Sequence, residues 1–572
     1  MFNTGARMRG IASDGENARG LCSRATGIAL CLCLLSTIYS VCATVSCGAQ
    51  ASSHPVPSPL LMELQRAIGM AERGDMKHAL ALANELLENH ADFVPALKLK
   101  GMLLEESGNQ AEASHVYERA LQLAPKDTDL LFKLGTAQLA VGNQDQTINL
   151  LLRLLKIKPK NGDALFYLAQ AYHLKGQDDQ ALKTIRECVR VEPGNAQAWQ
   201  KLGELIRASG DSESGLQMLL KAQRLDPTLD KIDFDIGAAY YYKMDFANAV
   251  LLSARAAEKH PGDLSVLKLL ASADVKLSQW QEARAVFERI LALKKGDGDS
   301  LVELGHCELE LKQYQEAVNT LQQALQVNPA QIQAHYYLSR AFTGIGATEE
   351  ARHEAELHHM MDQMSFAPPA LGSEGNMSVW DQARQLLTEH HEDDALHLLQ
   401  TESRTSAIPL GDSYVLVGSI YLSMGNTKDG KRALNHAIEI APKVRGAHTY
   451  IGLAALQQGD LDAAEKEFEA ELANDRNYLP AIAELGEVRY RQQRWADAAD
   501  LLLRSRTTTP VLLYMLCDSY FHLGKNQDAR LTSEVAAAYA RNEPEVLRAL
   551  IDLLSRNGES ALAQRLSGAE HQ

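Results

Sequence analysis

Cysteine is almost missing from most of this 572-residue chain. Cys22, Cys31, Cys33, Cys42 and Cys47 crowd the first 47 residues, leaving only Cys188, Cys307 and Cys517, each over a hundred residues from the next. That spacing excludes a disulfide framework or a zinc-finger pattern and reads as buried small hydrophobes. Positive charge is also in deficit: the net charge is −16. A surface that acidic repels phosphate backbones, so nucleic-acid binding is disfavoured. No Gly-rich phosphate loop, nucleophile elbow or paired-carboxylate constellation occurs, and no cofactor is expected.

What the chain has is a period. Pro125, Pro159, Pro193, Pro227 and Pro261 stand 34 residues apart; Lys295 takes the next slot and Pro329 returns to it. A fixed period of this size predicts a stacked array of two-helix units. Residues 196–229 illustrate one unit, numbered 1 to 34. Trp199, Leu202, Gly203 and Ile206 (positions 4, 7, 8 and 11) share one face of a first helix. Gly210 at position 15 supplies a tight turn. Gly215, Leu219 and Ala222 (20, 24 and 27) form the apolar face of a second helix, which Pro227 stops. Position 20 is alanine in twelve of fifteen units, from Ala79 to Ala563, so the helices must cross at close range there.

This pattern resembles the tetratricopeptide repeat, with Leu-Gly or Leu-Ala at 7–8, an aromatic at 11, Ala at 20 and 27, and Pro at 32. Tyr172, Tyr240 and Tyr421 supply the position-11 aromatic; Tyr117, Phe287 and Phe468 supply the bulky residue at 24. The resemblance implies an all-α, right-handed α-solenoid of about fifteen helix-turn-helix repeats that binds protein or peptide partners. Three departures predict looser packing: Asp233 at position 4, Asp274 at position 11, and a shortened unit beginning at Leu479.

At the N-terminus Arg7, Arg9, Arg19 and Arg24 precede an apolar run from Ala25 to Val45 and a small-x-small site at Ala49-Gln50-Ala51. Residues 1–51 read as a secretory signal peptide, with an uncleaved anchor or a lipid on Cys47 as alternatives. Its removal would take the net charge to −18, since four Arg outweigh Asp14 and Glu16. The expected organisation is a linker at 52–59, a first array at 60–364, and a Pro/Gly linker at 365–375. A second array with a polar cap follows at 376–572. The expected location is periplasmic or secreted, or membrane-anchored in the envelope.

Helix-A positions 2, 5, 9, 12 and 13 point roughly 80–180° away from core position 4. In the family this face lines the concave groove that holds partner segments. Phe132, Phe166, Phe234 and Tyr336 recur at position 5, and His173, Tyr241, Tyr242 and Arg340 join them. Exposed aromatics beside an Arg are the usual material of binding hot spots. The alternative is that the rings pack on the next unit's helix. The family's two-carboxylate clamp is absent, because Lys98 and Lys268 at position 5 are followed at 9 by Met102 and Ser272 instead of Asn. A competing enzyme reading would use His173, His306 and Glu310.

His353, His358 and His359 suggest a metal-binding helix at first sight. His353 and His358 are five apart, which separates them by about 140° and predicts a solvated face. His390, His391 and His397 read the same way. Arg73-Gly74-Asp75 is read as the position-15 turn and not as an adhesion motif. The chain as a whole reads as a non-enzymatic interaction scaffold of the bacterial cell envelope. Envelope polysaccharide export or outer-membrane assembly would be its setting.

Overall fold

The computed structural model describes residues 58–364, 391–402 and 410–569, with Gln382, Ala383 and Leu386 between them. The signal segment, the cleavage site, the cysteines before residue 48, His390 and the 365–375 linker lie outside the described residues. All regular structure among the described residues is helical. A typical unit pairs a 13-residue helix with a 14-residue one, as in Val94–Glu106 with Gln110–Leu123 or Ala196–Ala208 with Ser212–Leu225. Each helix ahead of a slot proline ends two residues before it, at Leu123, Ile157, Val191, Leu225 and Lys259. This is the helix termination expected from the proline ring.

The turn inside each unit needs a left-handed residue at position 15. Glycine fills it at Gly74, Gly108, Gly142, Gly176 and Gly210, with φ between +76° and +99°. Met244, Ser278 and Lys312 hold the same conformation, with φ near +60°. A side chain there costs about 1–2 kcal/mol, which the packed helix pair offsets. The Arg73-Gly74-Asp75 stretch is this turn: Gly74 is left-handed, and Asp75 caps the following helix by accepting from the His78 amide at 3.4 Å.

The described chain divides into two compact units, one ending at Met244 and one beginning at Asp245. In the first unit, Leu202 is 3% exposed within a cluster that includes Ala169, Ile185, Cys188 and Leu205. Leu202→Ala should cost ~2–5 kcal/mol as a buried large-to-small change. Because coupling in an array is nearest-neighbour, hydrogen exchange should accelerate in the adjacent repeats and not beyond residue 376. Equal deprotection at both ends of the chain would contradict that.

In the second unit the helices run in pairs from Phe246–Lys259 to Ile332–Ile345 with Thr348–Met364, and again from Leu410–Ser423 to Ser560–Ala569. Thr348–Met364 packs on Ile332–Ile345, as a terminal helix should, and also on Asn526–Tyr539. Leu357, Met361 and Met364 share one apolar cluster with Leu513, Leu516, Val535 and Leu550. This long-range contact breaks the nearest-neighbour order. It also corrects the solvated-face reading of the first histidine group. His353 sits 3.2 Å from a carboxylate oxygen of Glu534, and His358 donates from Nδ1 to the Ile332 carbonyl, 3.2 Å away. His359 is exposed beside Gln363. His391 and His397 are exposed too.

The three departures from the repeat pattern do not leave gaps. Asp233 is 4% exposed and accepts from Gln223 at 3.3 Å, and Asp274 is 3% exposed. Burial pushes the Asp274 carboxyl up to about 6, with Glu282 nearby adding to it. The short unit keeps a full first helix, Leu479–Arg491, and trims the second to Trp495–Arg504.

Candidate functional site: the inner faces of the first helices

Position 5 lies at the border between one repeat and the next. Lys98 reaches forward to Asp127 and Asp129, at 2.8 and 2.9 Å. Gln200 donates to the Asp230 carbonyl at 3.0 Å and to Asp235 at 2.6 Å, and Lys268 pairs with Asp297 at 2.9 Å. Where the residue is phenylalanine the same geometry gives ring contacts. Phe132 stands edge-on to Tyr167 of the following unit at 5.5 Å and 73°, and Tyr167 meets Phe166 at 5.5 Å and 86°.

Phe132, Phe166 and Phe234 are all half-buried. Phe132 and Phe166 share the Tyr167 ring between them. Tyr241 and Tyr242 stand edge to face at 6.0 Å, with the Arg207 guanidinium 5.2 Å above Tyr242. His173 holds Asp178 at 2.7 Å. Burial, helped by the Glu204 carboxylate, drives the Asp235 carboxyl well above the usual carboxylate range.

In the second unit Tyr336 and Arg340 come together: the guanidinium lies 5.8 Å over the ring and pairs with Glu310 at 3.0 Å. They belong to a longer run. Tyr336 meets Tyr337 at 5.4 Å and His358 at 5.3 Å. Tyr337 stacks on His306 at 4.3 Å and 8°, and His306 meets Trp280 at 5.1 Å. Trp280 and Tyr337, like Tyr167 in the first unit, were not singled out by the sequence. They occupy positions 17 and 6, which touch position 5 or 9 of a neighbouring repeat only after stacking.

Of the groups an enzyme reading would use, His306 and Glu310 are neighbours at 3.9 Å, while His173 belongs to the other unit. Cys188, Cys307 and Cys517 are free and buried, and burial pushes the Cys188 and Cys307 thiols up to about 12. Among the described residues no group of three His, Cys, Asp or Glu side chains could hold a metal ion. Nor is any described helix long and apolar enough to cross a membrane.

Comparison with known proteins matches these helices to tetratricopeptide-repeat family models at residues 94–127, 139–205, 268–320, 302–357 and 418–478. The type IV pilus assembly protein PilF of Pseudomonas aeruginosa is 28% identical over 162 residues, which is 27% of this chain and 63% of that protein. The crystal structure of MamA aligns at 18% identity over 29% of this chain and 92% of its own, with a TM-score of 0.28. YrrB, described as a tetratricopeptide-repeat protein with an unusual peptide-binding site, aligns at 23% identity over 29% of this chain and 86% of its own, with a TM-score of 0.27. With the 34-residue period, the small-residue crossings and the family matches in agreement, this chain belongs to the tetratricopeptide-repeat family.

Proposed function

We propose that this chain is a non-enzymatic scaffold of the bacterial cell envelope that holds protein segments on the inner faces of its first helices. The observation that carries the reading is the position-5 series. Phe132, Phe166 and Phe234 are each half-buried, and Phe132 and Phe166 stand edge-on to Tyr167. Rigid, half-open aromatics bind at low entropic cost. The second unit offers a similar face at Tyr336 and Arg340. Net charge favours protein over nucleic-acid partners.

The envelope address rests on the order of Arg residues, apolar run and Ala49-Gln50-Ala51, and on the similarity to a protein named for pilus assembly. A role in assembling or exporting envelope components follows from that address. The mature protein should begin near Ser52 and fractionate outside the cytoplasm. Mass spectrometry that finds an intact N-terminus on cytoplasmic protein would remove the address. The scaffold reading is tested separately, by partner crosslinking with the phenylalanine variants described in the Discussion.

A further inference from the structure

The helix Thr348–Met364 has more apolar surface than its own repeat uses. Its small-residue side faces Ile332–Ile345, where Ser339 donates to the Ala351 carbonyl at 2.8 Å. Leu357, Met361 and Met364, spaced four and three apart, form a second stripe, and each is at most 5% exposed. In a repeat array that stripe would be covered by the next unit or replaced by polar residues. Here the cover comes from repeats about 150 residues further along the chain, through the shared cluster with Leu513, Leu516 and Val535.

Polar contacts ring the apolar seat. Thr532 points its hydroxyl at the Met360 sulfur, 3.8 Å away, and Arg541 donates to the Val327 carbonyl. At one edge Glu534 is shared: His353 lies 3.2 Å from its Oε2, and Arg565 bonds the same oxygen.

We propose that this contact is a pH-sensitive latch inside the second unit: the C-terminal repeats dock on the helix Thr348–Met364, and the charge on His353 between Glu534 and Arg565 sets how firmly. The groups around His353 come from three elements. Glu534 on Asn526–Tyr539 favours the imidazolium, and Arg565 on Ser560–Ala569 opposes it. On its own helix Glu354 also favours it, although Glu354 is drawn 2.6 Å from His335. Glu349 and Glu356, further along that helix, are engaged by Arg352.

The Glu534 contact raises His353 above its ordinary value. A group raised by docking stabilises the docked state fully below its undocked pKa, about 6.5, and loses that contribution as pH rises through the raised value. The latch is therefore tighter at pH 6 than at pH 8. The inference goes beyond the scaffold reading and does not depend on it.

The test is hydrogen exchange on the full-length protein, comparing peptides from 348–364 and 526–539 with a first-unit control from 196–208. After correction for intrinsic rates, both latch peptides should exchange about two- to five-fold faster at pH 8 than at pH 6, the scale of one partly exposed ion pair. The control should not change. His353→Gln and Glu534→Gln should each erase the pH difference. Met361→Asp should deprotect both latch peptides together at either pH, because it places a charge in the apolar seat. Protection that ignores pH, or that keeps its pH dependence in Glu534→Gln, overturns the titrating latch. Deprotection of 348–364 alone by Met361→Asp overturns the docking, as would latch protection that rises with protein concentration and so forms between copies.

Discussion

Gly203→Leu is expected to unfold the middle of the first unit. The helices Ala196–Ala208 and Ser212–Leu225 cross with glycine on both sides. A Cβ at 203 would come 2.7 Å from the Leu219 side chain and 2.9 Å from the Gly215 carbonyl oxygen. From the other side, a Cβ at 215 would come 2.9 Å from the Gly203 carbonyl oxygen. Neither carbonyl can rotate away, since both belong to helix backbone. A leucine must push the helices apart, breaking the cluster that holds Leu202 and Leu205. Overpacking alone costs about 1–3 kcal/mol, and separating a helix pair should raise this to about 3 kcal/mol or more. Gly194→Ala is the control: nothing lies within 4 Å of its Cβ position, and the change should stay within ~0.5 kcal/mol. Denaturant melts separate the two outcomes. A Gly203→Leu protein that melts like the wild type would show that the crossing is not close.

That crossing was legible in the sequence because it repeats. Every feature at a fixed phase, the turn at Gly210, the stop at Pro227 and the small residues at 203 and 215, reports a contact between neighbours. Neighbours recur every 34 residues. The position-5 aromatics were legible for the same reason. Their ring partners Tyr167 and Tyr337, and the Trp280 that meets His306, were not, because each is one of many residue types found at its position.

Two features escaped for opposite reasons. Asp233, Asp235 and Asp274 look like defects in an apolar pattern, yet all are buried, and Gln200 and Gln223 answer Asp235 and Asp233. A polar group buried with a partner leaves no trace in hydrophobic periodicity. The docking of Thr348–Met364 on Asn526–Tyr539 has no period at all. The methionines at 361 and 364 carry the signal, an apolar stripe on a helix that should end an array, and two methionines beside three histidines form no recurring pattern.

Replacing Phe132, Phe166 and Phe234 together with alanine should abolish partner capture and leave a folded protein. All three rings are half-buried, so each truncation removes less packing than the ~3–5 kcal/mol of a fully buried phenylalanine. The losses also fall in different repeats, which limits how far they combine. Binding is affected more strongly, because a truncated aromatic anchor costs ~2 kcal/mol or more, roughly thirty-fold per ring. The edge-on contact of Phe132 with Tyr167 makes a second variant necessary. Leucine at the same three positions keeps apolar volume in the seam but removes the aromatic face. It should therefore restore most of the lost stability without restoring capture. If the alanine variant melts as Gly203→Leu does and leucine repairs both folding and capture, the rings are seam residues and the groove reading fails. If both variants fold and capture partners like the wild type, binding lies elsewhere. The face built by Tyr336, Arg340 and the stacked His306 and Tyr337 in the second unit is then the next surface to change.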